Sequence, residues 1–531
     1  MENPSSITAF QGQPSPESAP ETSASGTDLK ARLRKNIYKW HRIIGLITII
    51  PVICWSLSGL MHPFLSHWFK PVIAREFMPA RVLDKSQIRL SVQEVLKHNR
   101  ITDLKNFRLV QFANGTLYQV KTVDDKLRYF SAADGAELKD GDKQYAEHLA
   151  RYFLDDKTSA VKSITLQTSF SQQYKYVNRY LPVWKVSFDR DDNMDVYVET
   201  ASSRLGTFNT TSRKVFLWVF DNFHNWSFLE KITSNTLRIM IMVILLAVIL
   251  SSAVTGITIY GLFWSRFKKL TRDNEKKGVR RYHRQIGIAV AFVALTFTFS
   301  GAFHATRKLQ PNQLPLMVYE PLIKTEELTV ASLDLPVDWE RLYNLSVVRK
   351  SKKDYFQAFY TMTDDAPAEA VYINAADSSV WENGNIEYAK FLGKKFLQVL
   401  GNSTTISAAC CEEAGEVSQS GVDENATILK AEIVPKFENR EYGFVFKRLP
   451  VVRLQYDTPD ENALYVETAT SRLAAAINST DRLEGYSFAI FHKYLLLDWA
   501  GKNVRDVTMM IAALGLLVVS VLGLLVFVKS R

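Results

Sequence analysis

The sequence predicts an integral membrane α-helical protein. Four transmembrane helices form two parallel tandem repeats, and two α+β domains stand on one side of the bilayer. Three observations predict this: four uncharged stretches long enough to cross a membrane, basic residues gathered on one set of flanks, and a chain that reads twice.

The uncharged stretches are Ile43–Met61, Ile239–Phe263, Ile286–Phe303 and Val507–Val528. Each has at least 18 residues, about what a ~30 Å hydrocarbon core requires. The first starts too deep in the chain and lacks a small-x-small site, so it is not a cleaved signal peptide. Lys30, Arg32, Arg34, Lys35, Lys39 and Arg42 precede it, nine Lys/Arg fill 266–284, and Lys529 and Arg531 follow the last stretch. All these flanks fall on one side if both termini are cytoplasmic in a bacterial inner membrane. Two polar segments of about 170 and 200 residues then face the periplasm. The expected order is a disordered tail at 1–29, spans at 36–65, 235–263, 283–305 and 505–528, a basic loop at 264–282, and outer domains at 66–234 and 306–504. The net charge of +10 sits in these flanks, so it marks topology and excludes nucleic acid as a partner. Three cysteines in 531 residues exclude a disulfide scaffold. A hydrophobic content of 47% excludes a disordered chain.

Trp40-His41-Arg42 with Gly45 returns as Tyr282-His283-Arg284 with Gly287, and Ser58-Gly59-Leu60-Met61-His62 as Ser300-Gly301-Ala302-Phe303-His304, both 242 residues later. Tyr197-Val198-Glu199-Thr200-Ala201 returns at 465–469 and Phe223-His224 as Phe491-His492, 268 residues later. The longer offset places an insertion at about 402–427, around Cys410-Cys411. Two halves of the same orientation imply a pseudo-two-fold axis along the membrane normal. In the polar segments, Tyr118–Val120 with Leu127–Phe130, Trp184–Phe188 with Val196–Val198, and Val452–Tyr456 with Leu464–Val466 alternate around turn-formers and read as antiparallel hairpins. Helical patterns near Ser91–His98 and Tyr145–Leu154 make these domains α+β.

Six of nine histidines fall in repeat-related pairs: His41/His283, His62/His304 and His224/His492. His41 and His62 are 21 residues apart, as are His283 and His304. At 1.5 Å per residue this is ~32 Å, one membrane thickness. The two side chains differ by ~60° around the helix and share a face. His41 can then meet His283 on the cytoplasmic side and His62 can meet His304 on the outer side. His224 and His492 are expected on the outer membrane surface. Paired imidazoles at two depths suit bis-His b-type haem. The six serve two haems, with one pair outside the coordination sphere or at a substrate site, or three. No Cys-x-x-Cys-His is present, which excludes covalent attachment. The competing reading of a lone interfacial histidine is a satisfied polar residue. Zinc or copper would call for carboxylates or cysteines on the same face. Gly45, Gly59, Gly287 and Gly301 allow a macrocycle or a neighbouring helix to approach. Cys54 packs within the first span. Cys410-Cys411 reads as a surface loop, with a redox pair or metal spot as the alternatives.

These residues resemble the PepSY-associated transmembrane family: a His-x-x-x-Gly opening of the odd spans (His41/Gly45, His283/Gly287), a His before the even spans (His224, His492), and a Gly near their exits (Gly256, Gly523). The hairpins at 129–138 and 465–473 look like small PepSY modules. The resemblance implies a haem-containing inner-membrane reductase of ferric siderophores in the periplasm, serving iron acquisition. A quinol or a cytoplasmic reductase would supply electrons, because no Gly-rich dinucleotide fingerprint is present. The alternatives are a membrane-anchored binding or sensor protein for a peptide or peptidase without redox activity, and a transporter of iron or a small solute.

Overall fold

The computed structural model describes residues 24–529 except 113–114, 273–277, 310–316, 363–368, 402–425, 438–440 and 444–445. Helix α1 (Ala24–Pro63) is followed by one π-helical turn, Phe64–Trp68. Helix α2 (Val92–His98) starts at a capping box in which Ser91 and Glu94 satisfy each other's backbone donors. Strands β1 (Asp103–Phe112), β2 (Gly115–Thr122), β3 (Leu127–Ser131) and β4 (Glu137–Leu138) form a meander before α3 (Gly141–Leu154). Strands β5 (Val161–Gln167), β6 (Val183–Phe188), β7 (Asp195–Glu199) and β8 (Arg204–Asn209) make an antiparallel sheet. The chain returns through α4 (Thr211–Phe223) to α5 (Asn235–Leu262), α6 (Trp264–Arg272) and α7 (Val279–Arg307). The second extramembrane segment holds β9 (Ile323–Lys324), β10 (Leu342–Lys350), β11 (Lys353–Tyr360), β12 (Glu369–Asn374), β13 (Val380–Trp381), α8 (Gly384–Gly401), β14 (Ile428–Val434), β15 (Val451–Tyr456), β16 (Ala463–Glu467), β17 (Arg472–Ile477) and α9 (Ser479–Ser487), and α10 (Lys502–Val528) ends the fold.

Four helices are long and apolar enough to cross a membrane: the α1 stretch from Arg34, α5, α7 and α10. Both α1 and α7 pack against α5 and α10. They therefore occupy opposite corners of the bundle. The basic flanks gather at one end, where Arg42 stacks on Phe527 and Arg284 on Phe267. The sheets stand at the other end. The expected hairpins form as β2–β3, β6–β7 and β15–β16. Amphipathic α3 buries Tyr145, Ala146, Leu149 and Phe153 over β6–β8, and α8 buries Tyr388, Ala389, Leu392 and Phe396 over β15–β17. Each such aromatic contributes about 1.5–3 kcal/mol through burial.

The two extramembrane segments differ from the pair of separate domains expected. Strand β1 pairs antiparallel with β10, with Arg108 opposite Ser346, so β1–β4 and β9–β13 form one nine-stranded sheet. One core runs beneath it, with Phe107 edge-on to Phe356. A second junction is ionic. Arg448, 2% exposed, lies 3.1 Å from Glu199 and 2.8 Å from Glu467, and Arg204 also reaches Glu467. Helix α1 begins inside the segment expected to be disordered; residues 1–23 lie outside the described residues. The insertion with Cys410-Cys411 lies outside them as well, except for residues 426–427.

Candidate functional site

Opposite corners of the bundle bring α1 and α7 face to face, and the basic end places His41 against His283, ring centres 6.4 Å apart. Their surroundings fix each imidazole. The Thr255 hydroxyl donates to the Ser252 carbonyl, so its oxygen accepts the His41 Nδ1–H at 3.0 Å. The His283 Nδ1–H donates to the Val519 carbonyl at 3.0 Å. Both Nε2 atoms then carry the lone pair, because one ring nitrogen's hydrogen bond sets the other's protonation. Gly256 and Gly523 make the space: a Cβ there would stand 3.3 Å from His41 Cε1 and 3.2 Å from His283 Cε1.

At the sheet end His224 faces His492, again with ring centres 6.4 Å apart. The sequence had placed both on the outer membrane surface, and the structure corrects this. Trp226 adopts a left-handed backbone (φ 55°) and folds back to stack on Trp55; Tyr494 (φ 50°) does the same on Phe297. These turns carry the two imidazoles in between the helices. Trp55 donates its indole N–H to the His224 carbonyl at 2.8 Å. Ser58 donates to the Trp55 carbonyl and accepts from His224 Nδ1 at 3.0 Å. Ser300 donates to the Thr296 carbonyl and accepts from His492 Nδ1 at 3.4 Å. Enclosure holds both imidazoles neutral: desolvation pushes His224 well below its ordinary range and His492 down to about 3. A neutral imidazole is the form that ligates a metal.

The third pair is not brought together in this way. His62 meets Phe220, and its Nε2 accepts from Lys493 at 3.0 Å. His304 packs on Phe488, and its Nδ1 lies 2.7 Å from Glu484. Each aromatic ring stacks in turn on an imidazole of the outer pair, Phe220 on His224 and Phe488 on His492. The expected meeting of His62 with His304 is replaced by two His–Phe–His columns, because each of these rings packs on the phenylalanine, Phe220 or Phe488, four residues before an outer-pair histidine. All four of these histidines line a cavity of about 2410 Å³ that runs from the helices up to the sheets. Its floor is apolar, with Met242, Leu246 and Phe297. Desolvation pulls Lys493 at its wall down to about 8.

Among the described residues no group of three or more potential metal ligands assembles. Two opposed imidazoles at each end are what the fold offers. A metal–imidazole bond of about 2.0 Å plus about 1.1 Å from nitrogen to ring centre, taken on both sides, gives about 6.2 Å for a bis-imidazole iron site. Both observed separations, 6.4 Å, lie within a few tenths of an ångström of this figure, so the spacing admits an iron between one ring from each half of the chain.

A family model described as the PepSY-associated TM region matches residues 106–530. The chain belongs to this family. The PepSY-associated match begins after α1, so His41 and His62 precede it while the other four paired histidines lie within it. No curated relative matches the sequence. Two of the three histidine pairs, His41/His283 and His224/His492, are brought together as the repeat matched them. Ser58, Ser300, Lys493 and Glu484 were not singled out as partners, although Ser58 and Ser300 recur with the same 242-residue offset as His62 and His304.

Proposed function

We propose that the protein is a di-haem b electron carrier of the bacterial inner membrane, which passes electrons from the cytoplasmic side to a periplasmic ferric chelate such as a ferric siderophore. The observation that carries this reading is the repeated geometry of the two pairs. Each has ring centres 6.4 Å apart and Nδ1 atoms tied to a fixed acceptor. Tying Nδ1–H orients the ring and raises the basicity of Nε2. His41 and His283 would hold the inner haem, and His224 and His492 the outer one. Bound haem supplies one-electron chemistry, its potential set by axial ligand and surroundings. His62, capped by Lys493, and His304, tied to Glu484, would stand at the wall of the acceptor cavity and outside the coordination spheres. The cavity walls keep bulk water from the outer pair and hold the acceptor over it. The duplicated architecture is supported by contacts recurring at offsets of 242–243 and 268 residues: Ser58–His224 with Ser300–His492, Trp55–Trp226 with Phe297–Tyr494, and Tyr145–Ser203 with Tyr388–Ser471. The basic end would face the cytoplasm and the sheets the periplasm.

The test is an optical spectrum with haem-to-protein stoichiometry. A sharpened α-band on dithionite reduction and two haems per chain are expected. His41→Ala and His224→Ala should each leave one. A purified, folded protein without a Soret band ends the proposal.

A further inference from the structure

The cavity has a charged wall that electron transfer alone does not require. Five carboxylates line it among the described residues, and each is already engaged. Asp221 is held by Lys175 at 2.7 Å, Glu230 by Arg238 at 3.1 Å, and Glu441 by Arg482 at 3.1 Å. Asp481 is held by Arg307 at 2.6 Å, and Glu484 sits on His304 at 2.7 Å. Nine lysines and arginines face the same space. Among the described residues, four of them have no carboxylate within ion-pair distance: Arg179, Lys308, Lys493 and Lys502. The side chain of Lys493 contacts His62 through its Nζ. Lys308 ends α7 just past His304, and Lys502 opens α10. Arg179 faces them from the sheet domain, its guanidinium stacked on Tyr176 and Phe446 and its buried Nε without a hydrogen-bond partner.

Cations without counter-ions around a low-dielectric cleft focus a positive potential into it and raise the local concentration of anions. Four of the five carboxylates are already bound to arginine or lysine, which takes up their charge; Glu484, on His304, is the one that offsets the four unpaired cations, which still leaves an excess of positive charge. An arriving anion that bonds these groups regains in the cavity what the cations lost in hydration. Arg179 stands with the sheets and the three lysines stand with the helix ends. A ligand spanning both has to fill the chamber, which suits a bulky chelate better than a lipid headgroup held at the membrane surface.

We infer that the cavity selects net-negative metal chelates, with Lys308, Lys493 and Lys502 receiving the ligand's anionic oxygens from below and Arg179 from above. The inference rests on reading this cavity as the acceptor site, and it names the charge class of the acceptor.

The test uses gallium(III), which matches ferric iron in charge and size and is not reduced, so binding is read whether or not haem is present. The full-length protein in phosphatidylcholine nanodiscs is titrated calorimetrically with neutral tris(maltolato)gallium, singly negative gallium–EDTA and doubly negative gallium–DTPA. At low salt, affinity should rise about tenfold per added negative charge and the gradient should flatten as salt screens it. The Lys308→Gln/Lys502→Gln protein should lose most of the gradient. A flat or reversed series in the unmodified protein overturns the inference, whatever the variant does. So does loss of gallium–DTPA binding in discs containing phosphatidylglycerol, which would assign the cations to lipid. The dithionite spectrum of the same sample separates the two readings: a charge gradient without haem removes the redox function alone, and haem without a gradient removes the anion selectivity alone.

Discussion

The glycines that face the inner imidazole pair give the sharpest test of the proposed cofactor geometry. At Gly256 a Cβ would stand 3.3 Å from His41 Cε1, and at Gly523 3.2 Å from His283 Cε1. Carbon atoms prefer about 3.5–4.0 Å, so alanine forces each ring to yield by a few tenths of an ångström. Valine adds two further methyl carbons in the same direction and cannot be accommodated without turning the imidazole. Overpacking of this kind costs about 1–3 kcal/mol. If that cost falls on the ring orientation required for ligation, affinity for the inner haem drops by about 5- to 150-fold. The outer pair is untouched, since neither glycine lines the cavity. Gly256→Val and Gly523→Val should each fall from two haems to one in a pyridine haemochrome assay, and Gly256→Ala should retain two with a weakened inner site. Gly261→Ala is the control, because a Cβ there meets nothing within 4 Å. Two full-occupancy haems in Gly256→Val, or selective loss of the outer one, would refute the assignment of His41 and His283.

Ser58→Ala removes the acceptor of the His224 Nδ1–H; losing such an outer-shell partner typically weakens metal binding 10- to 100-fold, so the outer haem should dissociate faster in an apo-myoglobin competition while the inner one stays. His62→Ala should retain both haems by stoichiometry yet alter the rate at which a ferric chelate reoxidises the reduced protein, since its Nε2 is engaged by Lys493. Arg448→Met strands Glu199, 3% exposed, and leaves Glu467, 0% exposed, with Arg204 alone; it should destabilise the fold by about 3–5 kcal/mol, read as a lowered thermal midpoint, and adding Glu199→Gln should recover part of it. Burial opposes ionisation of Glu467, but Arg204 and Arg448 outweigh it and hold its carboxyl down to about 2. A carboxyl depressed in the folded state contributes stability above its ordinary value of about 4.5 and loses it as pH falls towards 2. The thermal midpoint should therefore decline across that window, and less steeply in Glu467→Gln.

Local patterns carried much of the fold. Eighteen or more uncharged residues are long enough to cross a membrane, and the four such stretches become the four long apolar helices; α2, α3 and the three hairpins follow from short-range periodicity and turn residues. The pairing of β1 with β10 left no such trace, because Arg108 and Ser346 are joined only by a long-range register. The site divided along the same line. His41 meets His283 because both lie near the basic ends of repeat-related long helices, positions that residue spacing alone gives. His224 and His492 depend on the left-handed turns at Trp226 and Tyr494, and an αL conformation at an aromatic residue is not predictable from composition. The fate of His62 was set by Lys493, 431 residues away. Charge partners at such separations are decided by packing.

The shared nine-stranded sheet also bears on how the chain must be made. Severed within the basic loop, each fragment would present the raw edge of β1 or β10 to solvent, an open template for pairing with the wrong neighbour. Each fragment would also carry only one imidazole of every couple. Covalent tethering keeps the correct mate at high effective concentration during biosynthesis, so co-expressed fragments should recombine with one another in preference to forming look-alike homodimers only when both edges are released together.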